Sequence, residues 1–146
     1  LAMAGRVTEG LAQIEETIAR REAEGASIAA DWNRLTLSEV YLQIISGDGG
    51  ASLGVLLANF RTIAKVILSG EKRIRHLIET QRKNPHFEKD GHFFARGEMI
   101  LGLLAKRKKR KQSAIDHLTR AQKLIAPAGQ SPMLARIEGA LAELAA

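Results

Sequence analysis

The side chains here whose types could do chemistry are four histidines, one adjacent Asp-His pair, a glycine-rich stretch and a run of six cations. His76, His86, His92 and His117 are scattered, and none has a second histidine four residues away to share a helix face around a metal. Asp116 and His117 resemble a catalytic pair only on paper, because adjacent helical residues point about 100° apart. The stretch "SGDGGASLG" (46–54) invites comparison with loops that cradle phosphate at a helix N-terminus. Such loops usually carry a lysine close behind and follow a strand, whereas here the first lysine is Lys65 and no strand pattern precedes. The stretch reads as a loop between helices, with Asp48 or Ser52 near the cap of the next one. The chain has no cysteine, which excludes thiol catalysis, disulfides and cysteine-based zinc sites. No catalytic residue, metal ligand or cofactor is therefore expected.

The cations are Lys106, Arg107, Lys108, Lys109, Arg110 and Lys111. The chain has 22 Lys and Arg against 16 Asp and Glu, so without these six the charges balance at 16 each. Three readings compete. The hexad is a solvated turn at a helix end, where cations complement the dipole. It is a docking patch for an acidic protein or lipid surface. Or it grips nucleic acid, which the absence of interleaved aromatics for base stacking makes the weakest of the three.

Helices must position all of these groups. Val7, Leu11, Ile14 and Ile18 recur at spacings of four, three and four, which predicts an amphipathic helix ending near Gly25, a residue suited to a left-handed C-terminal position. A second helix, "DWNRLTLSEVYLQIIS", follows with Asp31 as an early-turn acid, and the short turn between the two makes them antiparallel. The apolar run 51–70 contains Asn59, Arg61 and Lys65, which a bilayer span would not tolerate, so it is predicted to be a buried helix ending at Leu68. Ser69 or Gly70 opens the next helix, which carries Ile74, Leu77 and Ile78 on one face and stops before Pro85. Further helices run from about Gly91 to the hexad and from the hexad to Ile125. A last one has Pro132 in its first turn and Met133, Leu134, Ile137, Leu141 and Leu144 on its face. The expected fold is all-α, with about seven helices in antiparallel hairpins stacked as a short α-solenoid and forming a single domain over 1–146.

The stretch "ARGEMILGLLAKRKKRKQSAIDHLTRAQKLIAPAG", from Ala95, resembles a tetratricopeptide repeat. Leu101 and Gly102 match the Leu-Gly pair of the first helix, Ala114, Leu118 and Ala121 match the small, bulky and small packing positions of the second, and Pro127 lies beside the closing proline. Glu98 and Ala105 stand where the family has aromatics, so the copy is degenerate. More widely, "GRVTEGLAQIEETIARREAEGASIAADWNRLTLSEVYLQIISG" with "HFFARGEMILGLLAKRKKRKQSAIDHLTRAQKL" is similar to the C-terminal helical-repeat region of bacterial class III adenylate/guanylate cyclase-type signalling proteins. That resemblance implies a parent that makes or senses nucleotide signals. It assigns this stretch no catalysis, since the metal-binding aspartates of such cyclases have no counterpart here.

The chain does not begin with Met, and the expectation is a piece of a longer protein in which residues 1–5 derive from a vector. The N-terminal residues lack the basic and apolar regions of a secretory signal, which with the missing cysteine points to the cytoplasm. The expected partners are a protein, a peptide or neighbouring domains of the same chain, with a second copy as a further candidate. Trp32, Tyr41, Phe93 and Phe94 are either core residues or anchors in a peptide-binding groove. Glu15, Glu16, Glu22 and Glu24 form an acidic, solvated face on the first helix. The function expected from all this is a non-catalytic interaction or regulatory scaffold module, and the alternative is an electrostatic binder of nucleic acid or an anionic surface acting through the hexad.

Overall fold

The computed structural model describes residues 6–48, 50, 52–87 and 91–146; the presumed vector residues 1–5 lie outside them, as do Gly49 and Ala51 of the glycine-rich loop. All regular structure among the described residues is helical: α1 (Val7–Ala23), α2 (Ser27–Ser46), α3 (Leu53–Ala58), α4 (Phe60–Arg82), α5 (His92–Arg107), α6 (Lys111–Ile125) and α7 (Pro132–Ala145). The chain divides into two compact units, one ending at Asn84 and the other beginning at Pro85.

In the first unit α1 ends as its glycine predicts. Gly25 takes φ +73°, and the amides of Ala26 and Gly25 donate to the carbonyls of Arg21 and Glu22, closing a Schellman motif. α2 then runs back along α1. α4 lies parallel to α1, with Thr8 and Thr62 hydroxyls 2.6 Å apart and Arg73 donating to Glu15 at 3.2 Å. The core is Leu11 and Ile18 of α1, Leu35, Leu42 and Ile45 of α2, and Val66, Ile74, Leu77 and Ile78 of α4. α2 begins four residues earlier than its sequence suggests. Asp31 is therefore not an early-turn acid; it lies in the second turn and is fully buried.

The largest difference from expectation concerns the apolar run. It is not one helix, and of its described residues only Asn59, Val66 and Gly70 are buried. The chain breaks at Asn59, whose side-chain amide donates to the Val55 carbonyl at 2.9 Å, and α4 then continues unbroken through Ser69 and Gly70. Ser69 does not start a helix because its hydroxyl donates back to the Lys65 carbonyl at 2.8 Å, a bond made inside one. Gly70 is tolerated there because α2 comes close: a Cβ at this position would lie 2.9 Å from Ile45 Cδ1 and 3.4 Å from Tyr41 Cδ1.

In the second unit α5 and α6 form an antiparallel pair, and α7 runs back along α6 in the direction of α5. Leu101, Gly102, Ala114, Leu118 and Ala121 are all buried. At Gly102 the helices are in contact at backbone level, since a Cβ would lie 2.6 Å from Leu118 Cγ and 3.1 Å from the Leu118 amide nitrogen. The 3-10 turn Ala126–Ala128 holds Pro127. Pro132 then occupies the first turn of α7, whose Leu134 amide donates to the Ser131 hydroxyl at 3.1 Å.

Candidate functional site

α3 is six residues long, capped at its start by the Ser52 hydroxyl, which accepts from the Val55 amide at 3.4 Å. It buries none of its residues. On α4, with about 100° per residue, Ile67, Phe60, Ala64 and Leu68 fall in one sector of roughly 100°. Val66, Gly70, Ile74 and Leu77 share the neighbouring sector, which is buried. The result is an open apolar face made by α3 and the first half of α4. Leu53, Leu57, Phe60 and Leu68 are 73%, 69%, 67% and 86% exposed, and Leu56 and Ile67 42% and 49%. Residues 52–70 contain no Asp or Glu, while Arg61 and Lys65 project into solvent beside the face.

On the same unit a cleft of about 360 Å³ runs between α1, α2 and α4, lined by Glu15, Ile18, Ala19, Glu22, Arg34, Arg73, His76, Leu77 and Thr80. Its charges are mutually satisfied. Arg34 is buried and pairs with both Asp31 and Glu22, and Asn84 donates to the second oxygen of Asp31. Burial raises the Asp31 carboxyl above its ordinary value, with the Asn84 hydrogen bond opposing that rise. Burial also lowers the Arg34 guanidinium, helped by the nearby charge of Arg73. Both partners are thus pushed toward neutrality, because desolvation outweighs what the neighbours return. Tyr41 is raised by burial and by Glu15, against Arg73. Glu15, Glu16, Glu22 and Glu24 are all exposed, and two of them, seven residues apart on α1, also reach across to other helices: Glu15 to Arg73 of α4 and Glu22 to Arg34 of α2.

The hexad straddles a helix junction. Lys106 and Arg107 close α5, Lys108 to Arg110 connect, and Lys111 opens α6. Lys106 is held by Glu143 of α7, and the five that follow are exposed. The amides of Arg110 and Lys109 donate to the carbonyls of Ala105 and Lys106, a second Schellman motif, in which Lys109 takes φ +59° in place of the usual glycine.

His117 meets a carboxylate that its sequence neighbour does not supply. Its Nδ1 lies 2.7 Å from Glu98, a fully buried residue of α5 that also accepts from Arg120 at 3.2 Å, whereas Asp116 accepts from Gln112. The only signal for this trio was Glu98 in a position expected to be aromatic. Among the described residues no group of three His, Asp or Glu is placed to hold a metal ion.

Of the four aromatics, Trp32 and Tyr41 belong to the first unit and Phe93 and Phe94 to the second. Trp32 and Tyr41 lie about 180° apart around α2, the first half-exposed and the second half-buried against Gly70. Phe93 packs on Phe87 with ring centroids 4.5 Å apart, and Phe94 beside it is partly covered. No helix among the described residues is long and apolar enough to cross a membrane. Comparisons with protein-family models, curated proteins and solved structures find no match to the chain.

Proposed function

We propose that the chain is a non-catalytic helical interaction module and that it docks through the face formed by α3 and the first half of α4. The observation that carries this reading is the exposure of Leu53, Leu57, Phe60 and Leu68 within sixteen consecutive residues of α3 and α4. Isolated apolar side chains on a surface are ordinary, but so many large ones exposed in one short stretch, with Arg61 and Lys65 among them, mark a place where something binds. The resemblance of 95–129 to a tetratricopeptide repeat supports a scaffold role, and that of the wider chain supports a cytoplasmic place in a cyclase-type signalling protein.

The electrostatic alternative draws on Arg107 to Lys111, which are exposed together. It is weaker, because the helix ends there in a backbone motif that accounts for the turn, and Lys106 is engaged by Glu143.

A photo-crosslinking residue placed in turn at Leu57, Leu68 and Lys108 in cells producing the protein separates the two. Adducts from Leu57 and Leu68 but not from Lys108 are the expected result. Adducts from Lys108 alone transfer the function to the hexad, and sedimentation with short duplex DNA at low and high salt then identifies or dismisses nucleic acid. Adducts from none of the three overturn the module reading.

A further inference from the structure

Resting on the docking reading above, we infer that the occupant of the α3–α4 face is an anionic lipid surface, into which Leu53, Leu57, Phe60 and Leu68 insert while Arg61 and Lys65 meet the headgroups. Three observations select this occupant. First, Leu53, Leu57, Phe60 and Leu68 are 67% to 86% exposed, so little of the protein's own surface covers them. A side chain lining a groove for a partner helix is partly covered by the groove's own walls, whereas a bilayer interface deforms around protruding residues. Second, the charge beside the face is mainly basic: Arg61 and Lys65 are exposed, no carboxylate occurs between Ser52 and Gly70, and Glu71, which borders the face, is paired with Arg75. Apolar bulk bordered by Lys and Arg is the composition of helices that lie in a membrane interface, and each cation near an anionic leaflet adds to binding.

Third, the same charge disfavours a second copy of this chain as the occupant. A two-fold interface places one patch against itself. It would bring Arg61 and Lys65 of both copies to a single seam, where the nearest acid of α4, Glu71, is already engaged by Arg75. The face is too short to span the bilayer, in keeping with the absence of a crossing helix among the described residues. Contact is therefore superficial and reversible, with α3 and the first half of α4 at the level of the headgroups.

The experiment is flotation of the whole chain with vesicles of phosphatidylcholine alone and with about one-third phosphatidylserine, the anionic fraction supplying the surface potential. The expected result is partition into the phosphatidylserine vesicles and little into the neutral ones. Replacing Arg61 and Lys65 by Gln weakens partition roughly 30-fold, and Leu57→Glu with Leu68→Glu abolishes it. Both variants keep the wild-type unfolding midpoint, because the replaced side chains are exposed. Replacing the hexad by Ser and Gln leaves most of the bound fraction in place.

Binding that disappears with the hexad and survives Leu57→Glu with Leu68→Glu overturns the inference, as does a dimer in sedimentation equilibrium that Leu68→Glu dissociates. Absence of binding to both vesicle types overturns it too. In that event a protein adduct at Leu68 leaves the module reading standing with a protein partner, whereas absence of any adduct removes both.

Discussion

Lys109 and Asp31 show how single residues depart from the local rules of this sequence. Lys109 holds the left-handed position at the end of α5 that Gly25 and Gly47 hold at the ends of α1 and α2. A Cβ in that conformation crowds the following carbonyl, so Lys109→Gly should raise stability by about 1 kcal/mol in urea unfolding. A loss of stability would show that the lysine side chain contributes more than its backbone costs. Asp31 carries the opposite kind of cost, a carboxylate at 2% exposure held by Arg34 and Asn84. Removing it strands a buried guanidinium, and Asp31→Ala should lose about 3 kcal/mol. Its pH dependence has a definite sign. Burial raises the folded-state value above the unfolded one, so the folded chain binds the proton more tightly. The stability tied to Asp31 is then full below the ordinary carboxylate value and is lost as pH rises through its higher folded value. Unfolding midpoints measured across the acid range should show this fall in the wild type and not in Asp31→Asn.

At the scale of elements, the helix ends were largely legible because their signals are local. Gly25 ends α1, Pro85 follows the end of α4, Gly91 precedes α5, and Pro132 opens α7. The break at Asn59 was not legible, since Gly70 is a stronger breaker than Asn on propensity alone. Tertiary packing overrides that propensity by using Gly70 as a point of close approach to Ile45 and Tyr41. The two close-approach glycines should respond differently to alanine. Gly102→Ala drives a methyl into the root of the Leu118 side chain and its backbone, and should cost about 1 to 3 kcal/mol despite the better helix propensity. Gly70→Ala meets the flexible tip of Ile45, which can turn away, so the propensity gain should offset most of its cost. Thermal unfolding of the two variants side by side tests the contrast, and equal losses would contradict it.

For the whole molecule, charge is concentrated in one junction. Neutralising the hexad takes 22 cations to 16 and the net charge from +6 to zero, so the Ser/Gln variant should precipitate most readily near neutral pH, where the wild type stays dispersed. Turbidity against pH checks this, and an unchanged profile would mean that local patches rather than net charge govern solubility. The sequence by itself determined the all-helical class, most helix ends and the position of the hexad between two helices, because 3.6-residue periodicity, glycine, proline and runs of charge act over a few residues. Only the tertiary structure decided that Glu98 meets His117 and Arg120, that Glu22 and Asp31 share Arg34, and that Leu53, Leu57, Phe60 and Leu68 face outward. An apolar run has the same pattern whether its neighbours cover it or not. Which side of α4 receives α1 and α2 is fixed by contacts across more than fifty residues of chain, such as Thr8 with Thr62 and Glu15 with Arg73, and no window of local sequence contains both partners.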